Sequence, residues 1–300
     1  TCQNEQGRIV DRRGRNRSRS FSPEEGLLKA EAGVMLAEII DMVAPHGWFP
    51  AVVPGTRFVT LGGAIANDVH GKNHHRRGTF GCHVEALTLL RSDGTRHECR
   101  ADTNGDLFRA TIGGMGLTGL ILDATIRLMK VGCADVEECV TGFSSLADYF
   151  DLAADADARN EYAVAWIDQL ASGRDAGRGL LLTANHSQGG GYRPAGRARI
   201  GVPFQPPVNI LNRTSIRLFN AAYRRAKGRN PGPVRSHFAS YFFPLDGVGH
   251  WNRLYGPRGL YQHQSVVPEE TAHETIPLLL SAAREAAQVS FLTVLKRFGA

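Results

Sequence analysis

Apolar positions recur at two different periods along this chain, and the switches between them outline its elements. The segment LLKAEAG, Leu27–Gly33, reads as a strand running into a turn. Met35, Ile39, Ile40 and Val43 then fall at helical spacing and predict a helix. The run HGWFPAVVPGT is punctuated by proline and glycine and reads as a loop. VEALTLLRSDGTRHECR predicts a hairpin, with Asp93-Gly94 at its turn. DLFRATIGG predicts a short helix ended by glycine, and Gly119–Val131 alternates as a strand does. A further short strand is expected at Gly7–Asp11.

The texture changes after about residue 131. EYAVAWIDQL, RGLLLTAN and LYQHQSVVP are strand-like, and a Pro/Gly/Arg-rich region, residues 187–214, interrupts them. A helix is predicted from Pro268 to Gln288, followed by a last strand, Val289–Phe298. We therefore expect two α+β domains, residues 1–130 and 131–300.

Composition narrows the class. Of 300 residues, 42% are hydrophobic and 21% charged, which suits a folded globular protein, and no apolar run is long enough to span a membrane. No secretory signal is visible, so a cytoplasmic or envelope-associated location is expected. The start at Thr1 and the stop inside a strand-like run suggest a piece of a longer protein. The five cysteines are odd in number and form no C-x-x-C pair, which argues against a disulfide framework. The net charge is +6, and much of the basic charge is clustered in RIVDRRGRNRSRS and in YRRAKGR, Tyr223 to Arg229. Neither cluster carries zinc-finger spacing or an RNA-motif aromatic signature. An anionic small molecule or a membrane surface therefore ranks above nucleic acid.

The segment TLGGAIANDVHGKNHH, Thr60–His75, carries the densest chemistry. A phosphate loop would need glycine at position 66 and Ser or Thr at 73, where Ala66 and Asn73 stand. GMGLTG, Gly114–Gly119, matches G-x-G-x-x-G, but helix precedes it and strand follows, the reverse of a dinucleotide fold. His70, His74, His75 and His83, with Cys82 and Asp68, could hold zinc or form a satisfied histidine cluster. The glycines make the segment read as a loop, and we expect no metal. Gly55, Gly62, Gly63 and Gly71 lack Cβ atoms, so their backbone can approach a large flat or phosphorylated ligand, and unpaired N–H groups in such turns bind anions.

PGTRFVTLGGAIANDVHGKNHHRRGTFGCHV, followed by DLFRATIGGMGLTGLI, resembles the PCMH-type FAD-binding domain of the vanillyl-alcohol-oxidase superfamily. Within it, the chain is similar to the decaprenylphosphoryl-β-D-ribose oxidase group. AWIDQL, HWNRLYGPRGLYQHQSVVP and SFLTVLKRFG resemble that group's α+β substrate (cap) domain, built on an antiparallel sheet. Residues 171–235 match it poorly.

The resemblance implies non-covalent FAD, held at Gly55, Thr60, Leu61, Gly62, Gly63, Asn67, Asp68, Val69, His70 and Ile121. It implies oxidation of a secondary alcohol on a sugar, with hydride passing to flavin N5. It also implies an earlier pyrophosphate loop and a later return to the flavin domain, neither of which this sequence shows. Catalysis would rest on Lys72, Gln262, Gln264 and Lys296. Gln262 and Gln264 are expected on one strand face, and Lys296 with Phe298 on the last strand. Trp166 and Tyr255 read equally as pocket walls or core.

The expected substrate is a sugar or lipid-phosphate sugar, received by Lys296 and the YRRAKGR cluster. A separate NAD(P)H-dependent reductase and a peripheral membrane contact are implied as partners. An aldonolactone oxidase, or a catalytically incomplete flavin-binding protein, is the alternative.

Overall fold

The computed structural model describes residues 14, 19–198, 200–207, 210–229, 232–257 and 259–299. The strand expected at Gly7–Asp11, and every arginine of the N-terminal cluster before Arg19, lie outside them.

The first sheet is antiparallel, in the order β1 (Arg19–Ser22), β2 (Leu27–Glu31), β6 (Leu120–Lys130), β4 (Val84–Leu90), β5 (Arg96–Cys99). The eleven residues of β6 make it the axis, and the alternation read in the sequence is what it needs: Ile126 and Ala124 face the core with Leu28, Ala30 and Leu87. The hairpin of β4 and β5 turns where Asp93 accepts from the Thr95 amide and hydroxyl. Helix α1 (Leu36–Val43) buries Ile39, Ile40 and Val43 of the predicted stripe, but Leu36 takes the buried place expected of Met35, which is the half-buried N-cap. Helix α4 (Gly105–Thr111) precedes GMGLTG and β6 follows it, so this glycine run is a turn into a strand.

Two segments expected as loop are regular. Strand β3 (Trp48–Pro50) pairs with the far end of β6, Phe49 opposite Met129. Its proline stands at the strand end, where no ladder N–H is lost. In the glycine-rich segment, Leu61–Ala66 is helix α2 and His74–Arg77 is helix α3. Burial of Leu61, Ala64 and Ile65 and the Thr60 cap on the Gly63 amide outweigh the poor helix propensity of Gly62 and Gly63.

Gly62 has a packing reason to be there. A Cβ at 62 would stand 2.8 Å from the Ala32 Cβ and 3.2 Å from the Ala32 carbonyl, so only glycine lets α2 lie on the end of β2. Gly62→Val should therefore destabilise the fold by about 1–3 kcal/mol, as overpacking does. Urea unfolding checks this. An unchanged midpoint would mean that α2 shifts freely.

The second sheet is antiparallel, in the order β11 (Val234–Ser236), β7 (Val136–Phe143), β9 (Gly179–His186), β8 (Tyr162–Ile167), β13 (Thr293–Leu295), and a separate parallel pair is formed by β10 (Ile200–Gly201) and β12 (Val248–Gly249). Every residue of β8 is buried. On one face Ala165, Ile167, Leu181 and Phe143 pack against α5 (Leu146–Arg159) and α8 (Glu269–Glu285). On the other, Val164, Trp166, Leu180 and Leu182 meet Tyr223 of α6 (Arg213–Lys227), while Tyr162 and Ala184 meet α7 (Phe238–Phe242).

Two strand expectations fail here. LYQHQSVVP forms no strand, because residues 260–266 are exposed and have no sheet edge to pair with. The last strand shrinks to Thr293–Leu295, so Lys296 and Phe298 follow it rather than share its face.

The sheets are joined through residues 131–135 and share one core cluster. It unites Ile40, Ala44, Phe49 and Val53 with Val136, Tyr162, Ala184, Phe238 and Phe242. No helix among the described residues is long and apolar enough to cross a membrane.

Candidate functional site

The HGKNHH segment wedges between the two sheets, and its side chains fix it there. The Lys72 carbonyl accepts from the Ala163 amide at 2.8 Å, which lays this segment along β8. Asn73 is fully buried and donates to the Ala51 carbonyl at 2.8 Å and to Glu161 at 3.1 Å. Arg77 holds the same Glu161 through two bonds of 2.8 and 3.0 Å.

The histidines divide by task. His75 Nε2 lies 3.2 Å from the Asn160 carbonyl, and its Nδ1 lies 3.8 Å from the Asp157 carboxylate, so it fastens the segment to the end of α5. His74 stacks on Phe298 with ring centroids 3.8 Å apart and accepts from the Gly299 amide at 3.2 Å. His70 meets Phe298 edge-on at 5.1 Å and lies 3.5 Å from Gln264 Oε1. Its Nδ1 is buried without a partner.

Lys72 points the other way along the wedge. Its ammonium donates to the Tyr241 carbonyl and lies 4.0 Å from the centroid of the Tyr241 ring, a cation–π contact. Burial pushes its pKa down to about 7. Glu138 opposes the shift, and repulsion from Lys296 and Lys227 adds to it. Burial also lowers Lys296. His70 is lowered by burial and then by Lys296, against the bond to Gln264. Three basic groups are thus held below their ordinary values, with Lys296 in electrostatic reach of both Lys72 and His70. Lys296 is short of negative charge, and an anionic group arriving beside it would restore its protonated form.

Glu138 is the buried counter-charge. It pairs with Lys227 at 2.9 Å and accepts from the Ser236 hydroxyl at 2.9 Å. The YRRAKGR cluster is therefore split. Tyr223 packs on Trp166 with centroids 5.0 Å apart, and Lys227 turns inward with it, whereas Arg225 and Arg229 are exposed. Trp166 is 3% exposed and belongs to the core, its indole donating to the Phe291 carbonyl at 3.0 Å.

Of the catalytic candidates, the fold brings Lys72 and Lys296 together, and Gln264 to His70. Gln262 and Gln264 do not share a strand face, and both are exposed. Tyr241 and Glu138 were missed by the sequence reading. Glu138 left a trace, since its two-residue spacing from Val136 and Val140 puts it on their strand face and so turns a carboxylate inward.

The expected cofactor positions differ in exposure. Thr60, Gly62, Gly63, Asp68, Val69 and His70 are half-buried, and Asn67 and Gly55 are exposed. Leu61 and Ile121 are buried side chains of the first core.

At Leu61, Gly62 and Gly63 the N–H groups are not free, contrary to the expectation of an anion-binding turn there. Those of Leu61 and Gly62 donate to the Val34 and Ala32 carbonyls, and that of Gly63 to the Thr60 hydroxyl. The Asp68 carboxylate is likewise spent on the Gly81 amide at 2.7 Å. What remains open is the space over Gly55, where a Cβ would meet nothing within 4 Å, and the orphaned His70 Nδ1. A broad ligand resting on small residues and ending at His70 fits these features.

Comparison with known proteins points the same way. A family described as FAD binding domain matches residues 1–100. Decaprenylphosphoryl-beta-D-ribose oxidase of Mycolicibacterium smegmatis is 34% identical over 99% of this chain and 67% of its own length. An uncharacterized protein of Streptomyces coelicolor is 38% identical over 72% of this chain and 63% of its own. L-gulonolactone oxidase of Mus musculus is 31% identical over 37% of this chain and 25% of its own. The chain thus spans about two thirds of the length of the first two relatives.

Proposed function

The chain belongs to the FAD-dependent oxidoreductase family that includes decaprenylphosphoryl-β-D-ribose oxidase, and from that membership we propose that it serves to oxidise a secondary alcohol of a phosphorylated, lipid-linked sugar to the ketone. The observation that carries the reading is the group of under-neutralised bases, Lys72, Lys296 and His70, gathered where the two sheets meet.

FAD, when bound, supplies the two-electron acceptor for the carbinol C–H. The residues that would hold it non-covalently are Gly55, Thr60, Gly62, Gly63, Asn67, Val69 and His70, with Leu61, Asp68 and Ile121 offering backbone alone. Lys72, with a pKa near neutrality, accepts the hydroxyl proton. Lys296 supplies the charge for a phosphate. Gln264, beside His70, orients a sugar hydroxyl.

The alternative, a neutral aldonolactone, draws on the likeness to L-gulonolactone oxidase, which covers only 37% of this chain. A paired lysine site is more than a neutral lactone requires, and that favours the phosphorylated sugar.

The purified protein, reconstituted with FAD, should show the visible absorption of oxidised flavin. Under anaerobic conditions a phosphorylated pentose should bleach it faster than a neutral lactone does. Preference for the lactone would reverse the substrate assignment. Failure to take up FAD would overturn the whole reading.

A further inference from the structure

Lys296 stands among other basic groups, a place from which repulsion should drive it. It is half-buried within electrostatic reach of His70, Lys72 and His74, and among the described residues no carboxylate pairs with it. What holds it there must come from the residues that flank it in the chain. Phe298 stacks on His74, and the Gly299 amide donates to His74 Nδ1. A Cβ at 299 would stand 2.8 Å from the His75 carbonyl oxygen, so the backbone there lies directly on the HGKNHH segment.

Arg297, between Lys296 and Phe298, reaches away from this contact. Its guanidinium lies 3.3 Å from the Asp157 carboxylate, in the last turn of α5, and pairs with Glu269, in the first turn of α8. The Glu269 side chain is 78% exposed, so water screens that pair and it adds little, whereas the Asp157 side chain is 13% exposed. Asp157 also faces the other half of the wedge. Its carboxylate lies 3.8 Å from His75 Nδ1, and its backbone carbonyl accepts from Arg76 Nε at 3.3 Å. Burial pushes the Asp157 carboxyl up, while His75 and Arg297 pull it back, so its charge depends on the two segments it joins. One carboxylate is thus shared by the segment that carries His70 and Lys72 and by the segment that carries Lys296.

We propose that Asp157 is the positioning residue of this site: by holding Arg297 and His75 together it sets the gap between Lys296 and His70, and so fixes where a phosphate is received. The proposal rests on the reading of Lys296 as the phosphate cation. Asp157 acts through Arg297 and His75, from the far side of both segments. With Arg297 released, only the Phe298 stack and the Gly299 contact oppose the repulsion around Lys296, and its ammonium moves toward solvent. A fastening that merely stabilised the fold would spread its effect over the whole chain. Positioning confines the effect to residues 293–299 and to the charged part of the substrate.

Two measurements on the FAD-loaded protein test this, with Asp157→Asn, Arg297→Met and Arg297→Lys. Hydrogen exchange read by mass spectrometry needs no substrate. Asp157→Asn and Arg297→Met should each speed exchange of residues 293–299 by about 10-fold, while β4 and β6 keep the parent rate. Steady-state kinetics then compare a phosphorylated pentose with its unphosphorylated form. Both variants should raise KM for the phosphorylated sugar by about 10-fold, with a smaller fall in kcat, and leave KM for the unphosphorylated sugar near the parent value. Arg297→Lys keeps a cation opposite Asp157 and should recover most of both losses. The Arg297 side chain is 34% exposed and tolerates replacement, so the two Arg297 variants decide the matter if Asp157→Asn fails to fold. Unchanged exchange over 293–299, faster exchange throughout the chain, or equal KM changes for the two sugars would overturn the positioning role. A parent enzyme that gains nothing from the phosphate, with exchange altered as expected, would confirm the clamp and overturn the phosphate reading instead.

Discussion

Lys72→Met lowers the rate of sugar-alcohol oxidation by about 10²- to 10⁴-fold, the range for losing a positioned general base. Methionine fills the same space without a titratable group, so the Tyr241 wall keeps its packing. The pH profile carries the sharper information. Burial holds Lys72 near 7 in the protein alone. Below that value the amine is protonated and cannot accept the hydroxyl proton, and above it the free amine can. The kcat/KM of the parent enzyme should therefore rise with pH through about 7 and level off, and the variant should lose that limb. A parent profile that instead falls above neutrality would mean that Lys72 serves as a cation, and would remove it as the base.

Stability follows from the same shift. The native state binds fewer protons at this residue than the unfolded chain between about 7 and the ordinary lysine value of 10.5. Stability at this site therefore rises with pH across that window, and the burden of the buried charge is fully present below it. Lys72→Met should flatten this dependence in urea unfolding at the two ends of the window.

How much of this could be read beforehand depended on how local each cause was. Helix α1, the hairpin of β4 and β5, and strand β6 follow from periods and turn residues within single segments, and they stand where those signals put them. Gly62 and Gly63 read as loop because glycine is a poor helix former. Ala32, thirty residues upstream, makes Gly62 necessary, and no local pattern carries that fact. LYQHQSVVP failed in the opposite sense: its alternation is that of a strand, but no sheet edge receives it.

In the site, the importance of Lys72, Lys296, Gln264 and His70 was legible only through the family resemblance, since lone basic and amide residues carry no spacing signal. Tyr241, 169 positions from Lys72, shapes the lysine through a backbone carbonyl and a ring face, and neither leaves a trace in sequence. The tasks of His74 and His75 were likewise settled by distant partners, Phe298 and Asn160.

Phe49→Ala should cost about 3–5 kcal/mol of folding stability, the cost of emptying a large buried aromatic site. Phe49 is 0% exposed, and its ring meets His186 at 5.1 Å, Phe242 at 5.5 Å and Phe238 at 6.0 Å. It stands on β3, in the first sheet, while all three neighbours belong to the second sheet or to α7, so the lost contacts lie across the join. Phe242 also packs on Tyr162 at 4.8 Å and on Tyr241 at 5.0 Å, and Tyr241 is the wall against which Lys72 rests. The cavity should therefore loosen the site as well as the fold, and the variant should lose activity at temperatures where it is still folded. Phe49→Met, which refills part of the volume, should cost about 1–2 kcal/mol. Denaturant unfolding followed separately by flavin absorption and by far-ultraviolet circular dichroism distinguishes the outcomes. If the core is shared energetically, both signals move together to a lower midpoint. If only one signal moved, the two sheets would be stable apart, and the join at Phe49 would be a contact between independent units rather than a common core.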